Sequence, residues 1–279
     1  MSRRRVSLTS TRSVEIAVLS GLAGLLIVVH VLLPDPLRSQ FVFTYGEPSV
    51  VSAWTAAILH DSDSHLVSSV TWYAIVMAST YALATTWRHR RPFWIAVIGC
   101  LVLTPPVTKL VDYWVLSIQW DLVADATTAR GFSGVVSAFG GLLYVSLVRT
   151  ATAWYGYDAG VVTTGTIVLG ALSALTITSA VLSPSVAIIL CGMIAVAIGS
   201  VIGSNRTQIS EWRAWVVSER DNLLLIGGGS AVVVGLLSQL FQVELDASGR
   251  FVSVIAHGTG FTTGMVVMVL VLLLESVSR

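Results

Sequence analysis

Charge is what this chain has least of. Only 11% of its 279 residues are Asp, Glu, Lys or Arg, against about a quarter in an ordinary soluble domain. That scarcity, with 54% hydrophobic residues and a mean hydropathy of +0.82, excludes a soluble globular domain and leaves an all-α integral membrane protein. No basic run is long enough to attract nucleic acid, and the net charge of +1 names no partner. Cysteine is nearly absent too: Cys100 and Cys191 each lie inside an apolar run, where they read as small buried hydrophobes rather than a disulfide or metal site. No acidic or histidine set has metal-ligand spacing, so neither a metal nor an organic cofactor is expected.

What is present is apolar sequence in lengths of about 20 residues. Candidate spans fall at 14–33, 66–86, 92–112, 132–149, 162–182, 185–203, 222–241 and 252–274, eight in all. The first follows Ser2-Arg3-Arg4-Arg5 without a small-residue cleavage pattern after Leu33 and reads as an uncleaved anchor. With the N-terminus inside, 12 of the 16 basic residues fall on the cytoplasmic side and Arg38, Lys109, Arg130 and Arg250 outside. Basic residues concentrate on the cytoplasmic side of membrane proteins, so both termini are expected there.

The chain reads as one polytopic domain, 1–279. The outer segment 34–65, with Tyr45 and Trp54 among prolines, suits an interfacial segment better than a flexible linker. Pro105-Pro106 is expected to interrupt the third span, and the stretch 107–130 either continues that helix or lies along the interface. The stretch 204–221 reads as a short surface helix.

Two short segments carry polar groups into this apolar background: Gly131-Phe132-Ser133-Gly134, and Ala256-His257-Gly258-Thr259-Gly260 with Gly264 one turn further. A polar or ionisable residue inside a membrane is costly and marks a functional site by default. The topology puts Ser133 at the outer end of the fourth span and His257 about 10 Å down the last one at 1.5 Å per residue. A third cluster, His60-Asp61-Ser62-Asp63-Ser64-His65, opens the second span on the same side. Gly260 and Gly264 form a small-xxx-small face that lets one helix approach another closely. His30 and His89 read as interfacial rather than catalytic.

The GxSG opening one membrane helix, the AHxxGxxxG of the last, and the His-x-x-x-x-His-Leu entry to the second together resemble the rhomboid intramembrane serine proteases. The likeness covers 50–149 and 222–274, and 162–203 would be an additional helix pair beside a six-helix core. It implies Ser133 as nucleophile and His257 as general base and then general acid. It implies His65 and the Ser133 N–H as oxyanion donors, with Ser69 standing where the family usually has asparagine. Gly131 and Gly134 would leave room beside Ser133, while Gly260 and Gly264 would let the two helices meet. A tyrosine that often braces the histidine is replaced by Ser137, so a less firmly held imidazole is expected.

The implied activity is hydrolysis of peptide bonds in transmembrane segments of other membrane proteins, with those segments and the lipid bilayer as partners. Two other readings stay open: an inactive rhomboid-like protein that binds transmembrane helices, and a small membrane transporter, for which interrupted helices and intramembrane polar groups are also expected.

Overall fold

The computed structural model describes residues 2–179, 212–240 and 254–277. Seven helices among the described residues are long and apolar enough to cross a membrane, so the chain forms an all-α, multi-pass membrane bundle. The expected span 185–203 lies outside the described residues, as do Cys191, Arg250 and the part 204–211 of the expected surface helix 204–221.

Helix α1 (Ser2–Leu32) leads to a short turn of helix, α2 (Asp35–Arg38), then to strand β1 (Phe43–Thr44) and helix α3 (Val50–Thr55). The expected interfacial segment is therefore folded: β1 pairs antiparallel with β2 (Thr128–Ala129). Phe43, Tyr45, Ala53 and Ala56 form a small apolar core there, separate from the main one. Next come α4 (Asp63–Ala84), α5 (Arg91–Tyr113, extended by a π turn to Gln119), α6 (Ser133–Tyr155) and α7 (Tyr157–Ser179). A short α8 (Trp212–Ser218), α9 (Arg220–Leu240) and α10 (Val254–Val277) complete the described chain.

Helix α6 is the hub, enclosed along most of its length and packed by α4, α5, α7, α9 and α10. A bundle with no hydrophobic drive between helices needs close backbone approach, and glycines supply it here. A Cβ at Gly264 would collide with the Ala138 carbonyl, and one at Gly260 with the Gly134 carbonyl. These contacts advance together along both helices, so α6 and α10 run parallel. Helix α9 runs the other way, because Gly229 meets Leu147 while Leu236 meets Gly140.

Pro105-Pro106 does not interrupt the third span; α5 continues through both prolines. Pro106 has no N–H to give the Val102 carbonyl one turn back, and that carbonyl instead accepts from the Trp54 indole at 3.1 Å. An aromatic side chain of α3 thus satisfies a backbone group that lipid could not.

Helix α1 is lipid-exposed along much of its length and is tied to the bundle through polar contacts. Glu15 meets Arg90 at 2.8 Å and accepts from the Tyr81 hydroxyl at 2.7 Å, and at the other end His30 meets Asp63 at 2.9 Å. His30 is buried, bonded to Asp63 and packed edge-on against the His60 ring.

Candidate active site

Three helices begin at the same place. Ser133 is the first residue of α6, His65 stands in the first turn of α4, and His257 in the first turn of α10. The starts of α4 and α6 have local causes. Ser62 caps α4, its hydroxyl accepting from the His65 N–H at 3.3 Å, with Asp63 in the first turn to complement the helix dipole. Phe132, packed edge-on against Tyr73 with ring centroids 5.9 Å apart, anchors the residue before Ser133.

Gly131 sets the approach to α6. Its φ of +126° is a conformation that side-chain-bearing residues rarely adopt, and a Cβ there would stand 2.6 Å from His65 Cε1. The His65 imidazole therefore lies directly on the backbone two residues before Ser133. The Gly131 N–H donates to the Ala56 carbonyl at 3.0 Å, and an Arg130–Asp61 ion pair ties the same loop to the start of α4.

The Ser133 hydroxyl and the His257 ring are hydrogen-bonded, Oγ to Nε2 at 2.9 Å. The other ring nitrogen, Nδ1, donates to the Leu240 main-chain carbonyl, also at 2.9 Å. A carbonyl can only accept, so Nδ1 carries the proton and Nε2 presents its lone pair to the serine hydroxyl. That is the form in which an imidazole draws a proton from serine. His257 is 7% exposed and Ser133 is half-buried, so the pair is shielded but reachable.

The other expected residues fall around this pair. Gly260 and Gly264 are the points where α10 touches α6. Gly134 lends its carbonyl to that contact and turns its Cα towards Thr108 of α5, whose Oγ1 would be 3.3 Å from an added Cβ. Ser69 is buried on α4 one turn beyond His65. Ser137 does not brace His257: its hydroxyl donates to the Ser133 carbonyl within its own helix at 2.8 Å. The Leu240 carbonyl, which does hold the ring, was not among the expected residues, and a backbone acceptor leaves no signal in residue type.

Behind the site, the Tyr45 hydroxyl donates to Asp112 at 2.5 Å. Burial and the neighbouring carboxylate push the Tyr45 phenol well above its usual range. Among the described residues no group of three His, Cys, Asp or Glu is arranged to hold a metal ion. No family model matches the chain, and neither a curated protein nor a solved structure matches it.

Proposed function

We propose that the chain is an intramembrane serine endopeptidase of the rhomboid type, cutting transmembrane segments of other membrane proteins. The observation that carries this reading is the 2.9 Å hydrogen bond between Ser133 Oγ and His257 Nε2, made by two residues 124 positions apart inside an apolar bundle. Placing both polar groups there is costly, and a shared proton is what nucleophilic catalysis requires of them.

In the reaction, Oγ attacks the scissile carbonyl carbon as its proton passes to Nε2. The carbonyl oxygen takes the negative charge. Ser133 opens its helix, so its N–H has no intrahelical acceptor and is free to donate to that oxygen. His65, against Gly131, is the second donor, and the first turns of α4 and α6 add their partial positive charge. The imidazolium then protonates the departing amine and leaves an acyl-serine. Water attacks the acyl carbon, gives a proton to Nε2, and releases the carboxylic acid as the proton returns to Oγ.

A regular helix keeps its carbonyls in intrasegment hydrogen bonds, so the substrate segment must unwind locally before its carbonyl reaches Ser133. The bias of 12 basic residues to 4 puts the site-bearing end on the outer face and both termini in the cytoplasm.

The test is cleavage of model transmembrane substrates by the purified full chain in proteoliposomes. Cleavage that vanishes in both Ser133→Ala and His257→Ala supports the protease. A wild type that cuts no substrate across a varied set, and whose Ser133 never reacts with a fluorophosphonate, overturns it in favour of a helix-binding or transport role.

A further inference from the structure

A serine–histidine pair works only if something holds the imidazole in one tautomer and one orientation. In this molecule the group on Nδ1 is a main-chain carbonyl rather than a carboxylate, and the hydroxyl of Ser137, one turn along α6 from Ser133, is spent on its own helix. We infer that the Leu240 carbonyl is the third, positioning member of the site, and that the seating of α9 therefore governs how well His257 serves as a base. The inference rests on the proposed Ser133–His257 chemistry.

Leu240 is the last described residue of α9. A main-chain carbonyl oxygen carries partial negative charge and can only accept a hydrogen bond. An acceptor in this position selects the Nδ1–H tautomer and favours the positive charge that His257 carries while it holds the serine proton. These are two of the services a triad carboxylate performs.

Because the brace belongs to a different helix from the histidine, its position is set by what α9 packs against. Those contacts are tight and glycine-mediated. A Cβ at Gly235 would stand 3.2 Å from the Trp72 ring of α4, and one at Gly229 2.7 Å from the Leu147 side chain of α6. The Leu240 side chain itself is buried in the main core. A shift of α9 by about 1 Å would carry the Nδ1···O distance outside hydrogen-bonding range and free the ring to turn.

Two measurements on the full chain in bicelles test this. The first is the ¹⁵N spectrum of histidine-labelled protein, with the His257 signal assigned by its loss in His257→Gln; Nδ1–H with an accepting Nε2 is expected. The second compares Gly235→Leu, which drives a side chain into Trp72, with the wild type. Fluorophosphonate labelling of Ser133 should slow about a hundredfold as the Nδ1–H signature disappears. Adding Trp72→Ala should restore both. Gly235→Ala gives a milder version of the same pair of effects should the leucine variant not fold. An Nε2–H tautomer in the wild type overturns the inference, as does a folded Gly235 variant that loses the signature yet labels at the wild-type rate. A wild type that never labels instead sinks the protease proposal, and the nitrogen spectrum still decides the role of Leu240.

Discussion

His257 and His60 are both buried, at 7% and 0% exposure, and they are built in opposite ways. Both ring nitrogens of His257 have partners, one a carbonyl and one a hydroxyl. Neither ring nitrogen of His60 has one among the described residues. Its ring packs edge-on instead, 5.2 Å from His65 and 6.3 Å from His30 between centroids. Burial alone therefore does not distinguish the two histidines; what separates them is hydrogen bonding. A buried polar group left unpaired costs about 1–3 kcal/mol, so the two rings differ in what their nitrogens contribute: those of His257 join two helices to its own, and those of His60 bond no described residue.

The largest way to break this contrast is to remove the satisfied pair. Ser133→Ala and His257→Ala should each lower cleavage by about 10⁴-fold or more. The double variant should be little worse than either single one, because the two act as a unit. Progress curves with a fluorogenic transmembrane substrate measure this. Next in size is Gly264→Val, which forces a side chain against the Ala138 backbone. Overpacking of this kind should cost about 3 kcal/mol, read as a lowered thermal midpoint with loss of activity, while His60 is untouched.

How much of this was legible in the sequence follows the same line. The apolar runs place α1, α4, α5, α6, α7, α9 and α10 closely, because a membrane span is a composition signal. Ser133, His257 and the glycines of α10 were visible as polar or small residues in the wrong company. The continuity of α5 through Pro105-Pro106 was not, since the Trp54 donor that rescues the Val102 carbonyl comes from 48 residues away. Ser137 pointed to an imidazole without its usual brace; the partner its Nδ1 finds is a backbone atom that no residue type announces. The buried state of His30 was equally hidden, because it depends on His60 and Asp63 arriving from the segment that leads into α4.

His65 lies between the two environments, with the unsatisfied His60 ring on one side and the Gly131 backbone on the other. As an oxyanion donor its loss in His65→Ala should cost about 10²-fold in kcat with little change in substrate affinity. Ser69→Ala, one turn deeper on α4 with a short hydroxyl, should cost far less. A KM that rises while kcat holds would show that His65 binds substrate rather than the transition state. Trp54→Phe strips the donor from the Val102 carbonyl and should cost about 1 kcal/mol of stability. Pro106→Ala supplies an N–H to the same carbonyl, so the two substitutions should be strongly non-additive in a double-mutant cycle.

The smallest effect sharpens the comparison from the His60 side. Burial, then the neighbouring His65 and His30, hold the His60 imidazole down from its ordinary 6.5 to about 3. Between those two values the unfolded chain takes up a proton that the folded chain refuses, so stability falls as pH drops below about 6.5 and the loss levels off near 3. Replacing the ring by one with the same edge and no nitrogens removes both this penalty and the unpaired atoms. His60→Phe should therefore raise the unfolding midpoint by the equivalent of about 1 kcal/mol at pH 7.5. The gain over wild type should widen at pH 5, because only the wild type still loses stability through residue 60. A variant whose advantage is the same at both values would mean that His60 does not resist protonation in the folded state, and the contrast with His257 would reduce to hydrogen bonding alone.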